Sequence, residues 1–158
     1  MDNFLKTINS NGFEVGIALL VANMLAQWIK LLINYVKKRQ LNFKILFAAG
    51  GMPSSHSSTV SAMATSVGLI EGFDSVMFAM AAALAGIVMY DAGGVRQAAS
   101  KQAKVLNKII RDIVTEGHTL KTQRLREFLG HTPTQIFAGA GLGIAISLLL
   151  RYWIAASV

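Results

Sequence analysis

Apolar residues dominate four stretches of the chain, and each stretch approaches the length of about 20 residues that a helix needs to cross a bilayer. The runs are continuous rather than alternating, which favours membrane-spanning helices over strands or the amphipathic helices of a water-soluble fold. We place the spans at about 13–36, 55–70, 75–90 and 134–156. The pattern predicts an all-α fold, an integral membrane helical bundle that forms one domain over residues 1–158.

The segment between the third and fourth spans, at 91–133, has a different pattern that predicts an amphipathic helix at about 97–116. Its apolar residues recur at steps of four and three: Ala99, Ala103, Leu106, Ile110 and Ile113. The other face is basic and contains Lys101, Lys104, Lys108 and Arg111. Such a helix either lies on the membrane surface or packs against the bundle, and the two alternatives are compatible.

Composition agrees with a membrane protein, because 53% of the 158 residues are hydrophobic and only 15% are charged, against about 25% charged in soluble domains. The absence of cysteine excludes disulfides, thiolate metal sites and cysteine nucleophiles. We attribute the net charge of +7 to loops that face anionic lipid headgroups, and not to nucleic acid. The polar N-terminus lacks the features of a signal peptide, so the first span is expected to be retained.

Most of the 15 Lys and Arg residues lie between spans one and two or between spans three and four. Basic loops face the cytoplasm, which predicts a multi-pass protein of the cell membrane with both termini outside. Lys30 lies inside the first span, and we expect its side chain to snorkel toward an interface.

Gly139 and Gly143 in the fourth span form a GxxxG pair, a spacing that lets helices approach closely in lipid. This pair indicates either packing inside the bundle or contact with a second copy in a homodimer. The sequence leaves the oligomeric state open.

Three polar clusters fall at the predicted cytoplasmic ends of the spans. They comprise Ser54, Ser55 and His56 before span two, Asp91 and Arg96 after span three, and His131 and Gln135 before span four. Each cluster alone is typical of a helix cap, but helix starts also bind anions. Together with Lys44, the clusters predict a phosphate site in which one histidine attacks phosphorus and the other protonates the leaving alcohol.

Three blocks of sequence resemble a known family. MPSSHS looks like the PSGH motif of the type-2 phosphatidic acid phosphatase superfamily, which includes vanadium-dependent haloperoxidases. GGMPSSHSS, YDAGGVRQA and LGHTPTQIFAG together resemble its divergent branch of small membrane proteins. The resemblance implies that His131 is the nucleophile and His56 the acid, with phosphate contacts from Lys44, Ser54, Ser55 and Arg96. It also implies a reaction that needs no metal or other cofactor.

The sequence departs from the superfamily pattern at several positions. Serine replaces the glycine of PSGH, the Arg-Pro pair of the first motif has no counterpart, and Gln135 stands where an orienting aspartate is expected. A glutamine carbonyl can hold a ring nitrogen but cannot stabilise an imidazolium by charge. We expect Asp91 to supply that charge from another segment.

The resemblance implies a phosphatase that acts on a membrane lipid carrying phosphate, of the phosphatidic acid, phosphatidylglycerol phosphate or polyprenyl phosphate type. The distribution of basic residues places the reaction at the cytoplasmic face. Two alternatives remain: a non-catalytic membrane protein that binds or transports a phospholipid, and a structural module without a ligand.

Overall fold

The computed structural model describes residues 11–39, 50–115 and 130–157. Its helices are α1 (Gly12–Lys38), α2 (Ser55–Glu71), α3 (Val76–Tyr90), α4 (Arg96–Thr115) and α5 (Pro133–Ser157), and a π-helical turn at Asp91–Val95 joins α3 to α4. All regular structure within these ranges is helical, which confirms the predicted all-α fold.

Three helical segments among the described residues are long and apolar enough to cross a membrane. They are α1, the combined α3–α4 segment up to Arg111, and α5. Helix α2 is shorter, at 17 residues. The helices coincide closely with the four predicted spans. Their length and apolar composition support a location in a membrane. The orientation of the protein in that membrane stays a prediction.

Polar residues between the apolar runs begin the helices. The Asn11 side chain accepts a hydrogen bond from the Phe13 N–H at 2.9 Å, and the Ser75 hydroxyl accepts one from the Phe78 N–H at 3.1 Å. Helix α5 begins at Pro133, whose missing N–H costs nothing in the first turn. These caps satisfy N–H groups that a helix start leaves without a partner, a strong requirement in lipid.

Helix α2 is the centre of the bundle and packs against α1, α3 and α5. Its contact with α5 depends on Gly139 and Gly143, because a Cβ atom at either position would collide with the carbonyl oxygens of Ser54 and Ser58 respectively. The GxxxG pair therefore serves packing inside the bundle, the first of the two alternatives that the sequence left open.

Buried hydroxyl groups link α2 to its neighbours. The Ser66 hydroxyl donates to the Ser147 hydroxyl at 3.0 Å, and Ser147 donates to the Ala62 carbonyl at 2.9 Å. Ser58 donates to the Ala22 carbonyl of α1 at 3.2 Å. Small residues thus allow close approach, and their hydroxyls stabilise the contact by hydrogen bonding across helices.

The segment predicted as a loop from residue 91 instead continues the helix of the third span. The π-helical turn contains Gly93 and Gly94, and α4 follows it directly to Thr115. A π turn inserts a residue into the helix and redirects local hydrogen bonds without ending the helix. The rest of the predicted loop, including the expected helix end at 116, lies outside the described residues.

Candidate active site

Two histidines from separate helices face each other at one end of the bundle. The rings of His56 and His131 have centroids 6.3 Å apart and meet edge to face. His56 lies in the first turn of α2, and His131 lies just before α5. The His131 side chain is almost completely buried, with 2% of its surface exposed. The membrane topology predicted from the sequence brings the same two residues together.

A backbone hydrogen bond joins the starts of the two helices. The Ser54 N–H donates to the Gln135 carbonyl at 2.9 Å, and the Ser54 hydroxyl accepts from the Ser57 N–H at 3.3 Å. Ser54 and Ser55 are both buried. The positive ends of two helix dipoles therefore meet near the histidines, an arrangement that favours an anion.

Gln135 orients the His131 ring. Its side-chain oxygen lies 3.1 Å from His131 Nδ1 and accepts the Thr132 N–H at 3.3 Å. An amide oxygen can only accept hydrogen bonds, and the Thr132 N–H identifies this atom as the oxygen. His131 Nδ1 must therefore be the donor to it and carry a proton. The tautomer inferred in this way leaves the lone pair on Nε2, the nitrogen that a nucleophilic role requires.

The same glutamine also caps α5. Gln135 stands three residues after Thr132, and the Gln135 N–H donates to the Thr132 hydroxyl at 3.4 Å, while Gln135 Oε1 accepts the Thr132 N–H in return. This reciprocal pair is a capping box. One side chain thus begins the helix and holds the adjacent imidazole.

The π-helical turn fixes the backbone of the predicted nucleophile. The His131 N–H donates to the Ala92 carbonyl at 3.0 Å. A Cβ atom on Gly93 would lie 2.5 Å from Cδ1 of Ile136, so glycine permits the close contact between this turn and α5. Asp91 begins the turn, next to Ala92, and Arg96 begins α4 directly after it, so the turn that contacts the His131 backbone connects these two residues.

Lys30 joins the site in a way that the sequence analysis missed. Contrary to the expectation from the sequence, its side chain does not snorkel to an interface but is buried, with 3% of its surface exposed. Its ammonium donates to the Ser55 hydroxyl at 3.1 Å, and Gln27 donates to the same oxygen at 3.4 Å. The predicted phosphate-binding lysine, Lys44, lies outside the described residues.

The Lys30 ammonium introduces a positive charge beside the Ser55 hydroxyl. Within the described part of the chain no carboxylate lies within ion-pair distance of it. Among the described residues the partner of Lys30 is a neutral hydroxyl, and burying a cation without an opposite charge is costly. The buried charge therefore makes this end of the bundle receptive to an anionic ligand near Ser55.

A signal for Lys30 was present in the sequence. Four of the polar residues in the first span recur at steps of four, three and four: Asn23, Gln27, Lys30 and Asn34. This spacing puts them on one face of a helix, and a charged residue inside a span generally faces the bundle interior or a functional site. The stripe meets α2, where Asn23 donates to the Thr59 hydroxyl at 3.1 Å.

Comparison with known proteins agrees with this arrangement. The profile of the Divergent PAP2 family matches residues 13–146. An uncharacterized membrane protein of Bacillus subtilis (strain 168), YuiD, is 40% identical over 144 residues, covering 85% of this chain and 91% of the relative. No solved structure matches the chain.

Proposed function

The chain belongs to the Divergent PAP2 family, and from this membership we propose that it is a membrane phosphatase that hydrolyses a lipid-linked phosphate. Membership confirms the resemblance drawn from the three sequence blocks. The observation that carries the proposal is the pair of facing histidines, His56 and His131, 6.3 Å apart at two helix starts.

The proposed chemistry divides the work between the two rings. His131 Nε2 attacks phosphorus, a P–N bond forms, and the P–O bond to the lipid alcohol breaks. His56 gives its proton to the departing oxygen and then takes a proton from water, which attacks the phosphohistidine and releases inorganic phosphate. Gln135 keeps the attacking ring in the required tautomer, and Asp91 is proposed to stabilise its positive charge.

The proposed phosphate contacts come from several elements. Ser54, Ser55 and Lys30 would hold the phosphoryl oxygens through hydrogen bonds and charge. From the sequence pattern we add Arg96 and Lys44. A site at the end of a membrane bundle suits phosphate on a lipid headgroup, namely phosphatidic acid, phosphatidylglycerol phosphate or polyprenyl phosphate. The distribution of basic residues supports a cytoplasmic-facing site in the cell membrane.

Phosphate release from a panel of these lipids, measured in detergent micelles, tests the proposal. His56→Ala and His131→Ala should each abolish turnover, whereas the matched variant of the third histidine, His118→Ala, should retain it. A phosphohistidine trapped during turnover and mapped to residue 131 would support the covalent step. Equal turnover in all three variants would contradict the proposal.

The second candidate function is phospholipid binding or transport without hydrolysis. Gln135 favours it, because a neutral glutamine does not stabilise the imidazolium formed during nucleophilic attack as an aspartate does. In the same detergent micelles, lipid binding is measured beside phosphate release. Saturable binding that depends on Lys30, without phosphate release, would assign this function to the protein.

A further inference from the structure

Helix α4 presents three distinct faces. Ser100, Ala103 and Asn107 are buried and lie on one side, because steps of three and four residues return to the same face of a helix. Among the residues of α4 whose burial is described, the fully buried side chains are therefore small or polar. The sequence left open whether the apolar residues of this helix contact the membrane surface or the bundle, and the burial of each residue bears on that question.

Three larger apolar side chains of α4 point away from that buried face, whereas Ile110 at its edge is half-buried. Val105, Leu106 and Ile109 remain between 47% and 59% exposed, and helical spacing groups them within roughly a third of the circumference. The third face is basic, and its exposed members are Lys101, Lys104, Lys108 and Arg111. Lys101 and Lys108 flank Val105 at the border between the apolar and basic faces.

The exposed apolar face lies near the end of a helical segment that is longer than one membrane crossing requires. The segment Val76–Arg111 contains 36 residues, whereas about 20 residues cross the hydrocarbon core. If α3 and the π-helical turn fill the core, α4 begins at the headgroup level. Apolar side chains next to lysines at that level match a helix that lies in the interface plane.

We propose that the helix bends at the π-helical turn, where Gly93 and Gly94 permit a kink, and that α4 then lies on the surface of the membrane, with Val105, Leu106 and Ile109 inserted among the lipids and the adjacent lysines bound to anionic headgroups. The basic face selects anionic lipid over a second copy of the chain, because two such faces would repel each other. This inference does not depend on the proposed phosphatase activity.

Single-cysteine labelling of the full-length protein tests the proposal, since the natural chain contains no cysteine. Bimane is attached to Val105→Cys or Ile109→Cys, and to Lys104→Cys or Lys108→Cys as matched controls. The proteins are reconstituted in phosphatidylcholine vesicles with or without phosphatidylglycerol, after gel filtration has verified their native elution. Brominated phospholipid reports contact with the bilayer, and iodide reports contact with water.

With phosphatidylglycerol present, brominated lipid should quench positions 105 and 109 several-fold more than positions 104 and 108, and iodide should show the opposite order. Omitting phosphatidylglycerol, or changing Lys101, Lys104 and Lys108 to Gln in the Val105→Cys protein, should reduce the lipid quenching. Equal iodide quenching at all four positions would overturn the proposal. Self-quenching at position 105 that disappears on dilution with unlabelled protein would also overturn it, by assigning the face to a second copy.

Discussion

At the scale of single residues, Lys30 and Gln135 connect the structure most directly to chemistry. Lys30 places a buried ammonium 3.1 Å from the Ser55 hydroxyl, and Gln135 places a carbonyl oxygen 3.1 Å from His131 Nδ1. Both contacts also have a structural interpretation, as a link between helices and as a helix cap. The two interpretations predict different responses to substitution.

Lys30→Met should weaken binding of the phosphorylated lipid by about 10- to 100-fold, because a hydrogen bond from a charged group contributes about 1.5–3 kcal/mol. It should leave the melting temperature unchanged or raise it, since an apolar side chain of similar volume removes a buried charge. Lipid-binding titration and thermal unfolding in detergent measure both effects, with Lys37→Met at the exposed end of α1 as the control. A lowered melting temperature with unchanged binding would mean that Lys30 is structural.

Gln135→Leu should slow phosphate release by about 100-fold, the cost of a misplaced catalytic group. Gln135→Glu should preserve the capping box, since Glu also accepts the Thr132 N–H, and should match or exceed the wild-type rate by adding negative charge beside His131. Initial rates together with melting temperatures separate the two roles. If the Glu and Leu variants reduce the rate of phosphate release equally while stability is unchanged, the proposal that Gln135 orients His131 is wrong.

At the scale of elements, the bundle depends on the close approach of α2 and α5. The two glycines at this contact, Gly139 and Gly143, face carbonyl oxygens of α2, whereas Gly141 on the same helix has no atom within 4 Å of an added Cβ. A short contact between backbones aligns the starts of both helices. Packing of small residues thereby determines where His56 and His131 meet.

Gly143→Ala should lower the free energy of unfolding by about 1–3 kcal/mol, the usual cost of overpacking a tight contact. Gly141→Ala should leave stability unchanged or raise it slightly, because alanine favours the helix and meets open space. Thermal unfolding of the two variants in the same detergent provides a matched comparison. Equal melting temperatures would contradict the close α2–α5 contact at Gly143.

At the scale of the whole molecule, an ion pair joins the first and the last helix of the described residues. Arg151 Nη1 lies 2.9 Å from Glu14 Oε2, and the Glu14 side chain is almost completely buried while Arg151 is 28% exposed. Glu14 lies at the beginning of α1 and Arg151 near the end of α5, whereas Lys30 lies in the other half of α1 and His131 just before α5. The pair is therefore remote from the candidate active site.

Arg151→Met should destabilise the protein by about 2 kcal/mol, below the range for a fully buried pair because Arg151 is partly exposed to its surroundings. Adding Glu14→Gln should recover part of this loss, since the buried charge is then removed as well. A double-mutant cycle of unfolding free energies measures the coupling, and turnover per folded molecule should stay constant throughout. Strictly additive losses would contradict a direct ion pair.

The sequence by itself determined the helical membrane fold and most of the groups in the candidate site. Long apolar runs in lipid have few alternatives to helices, because every backbone polar group must be satisfied internally. Alternating spans then put the residues around His56, Asp91 and His131 at the same end of the bundle. Polar residues that precede the apolar runs, such as Ser54 and Ser75, are typical helix caps and can be identified as such from the sequence.

Tertiary structure alone decided how the elements meet. Lys30 has the same local sequence whether it snorkels to an interface or contacts Ser55, and only the packing of α1 against α2 distinguishes the two. Likewise, GxxxG suits an internal or an external partner, and only the position of α2 assigns it. Periodicity along one helix specifies which residues share a face, but the surroundings of that face depend on contacts between residues distant in sequence.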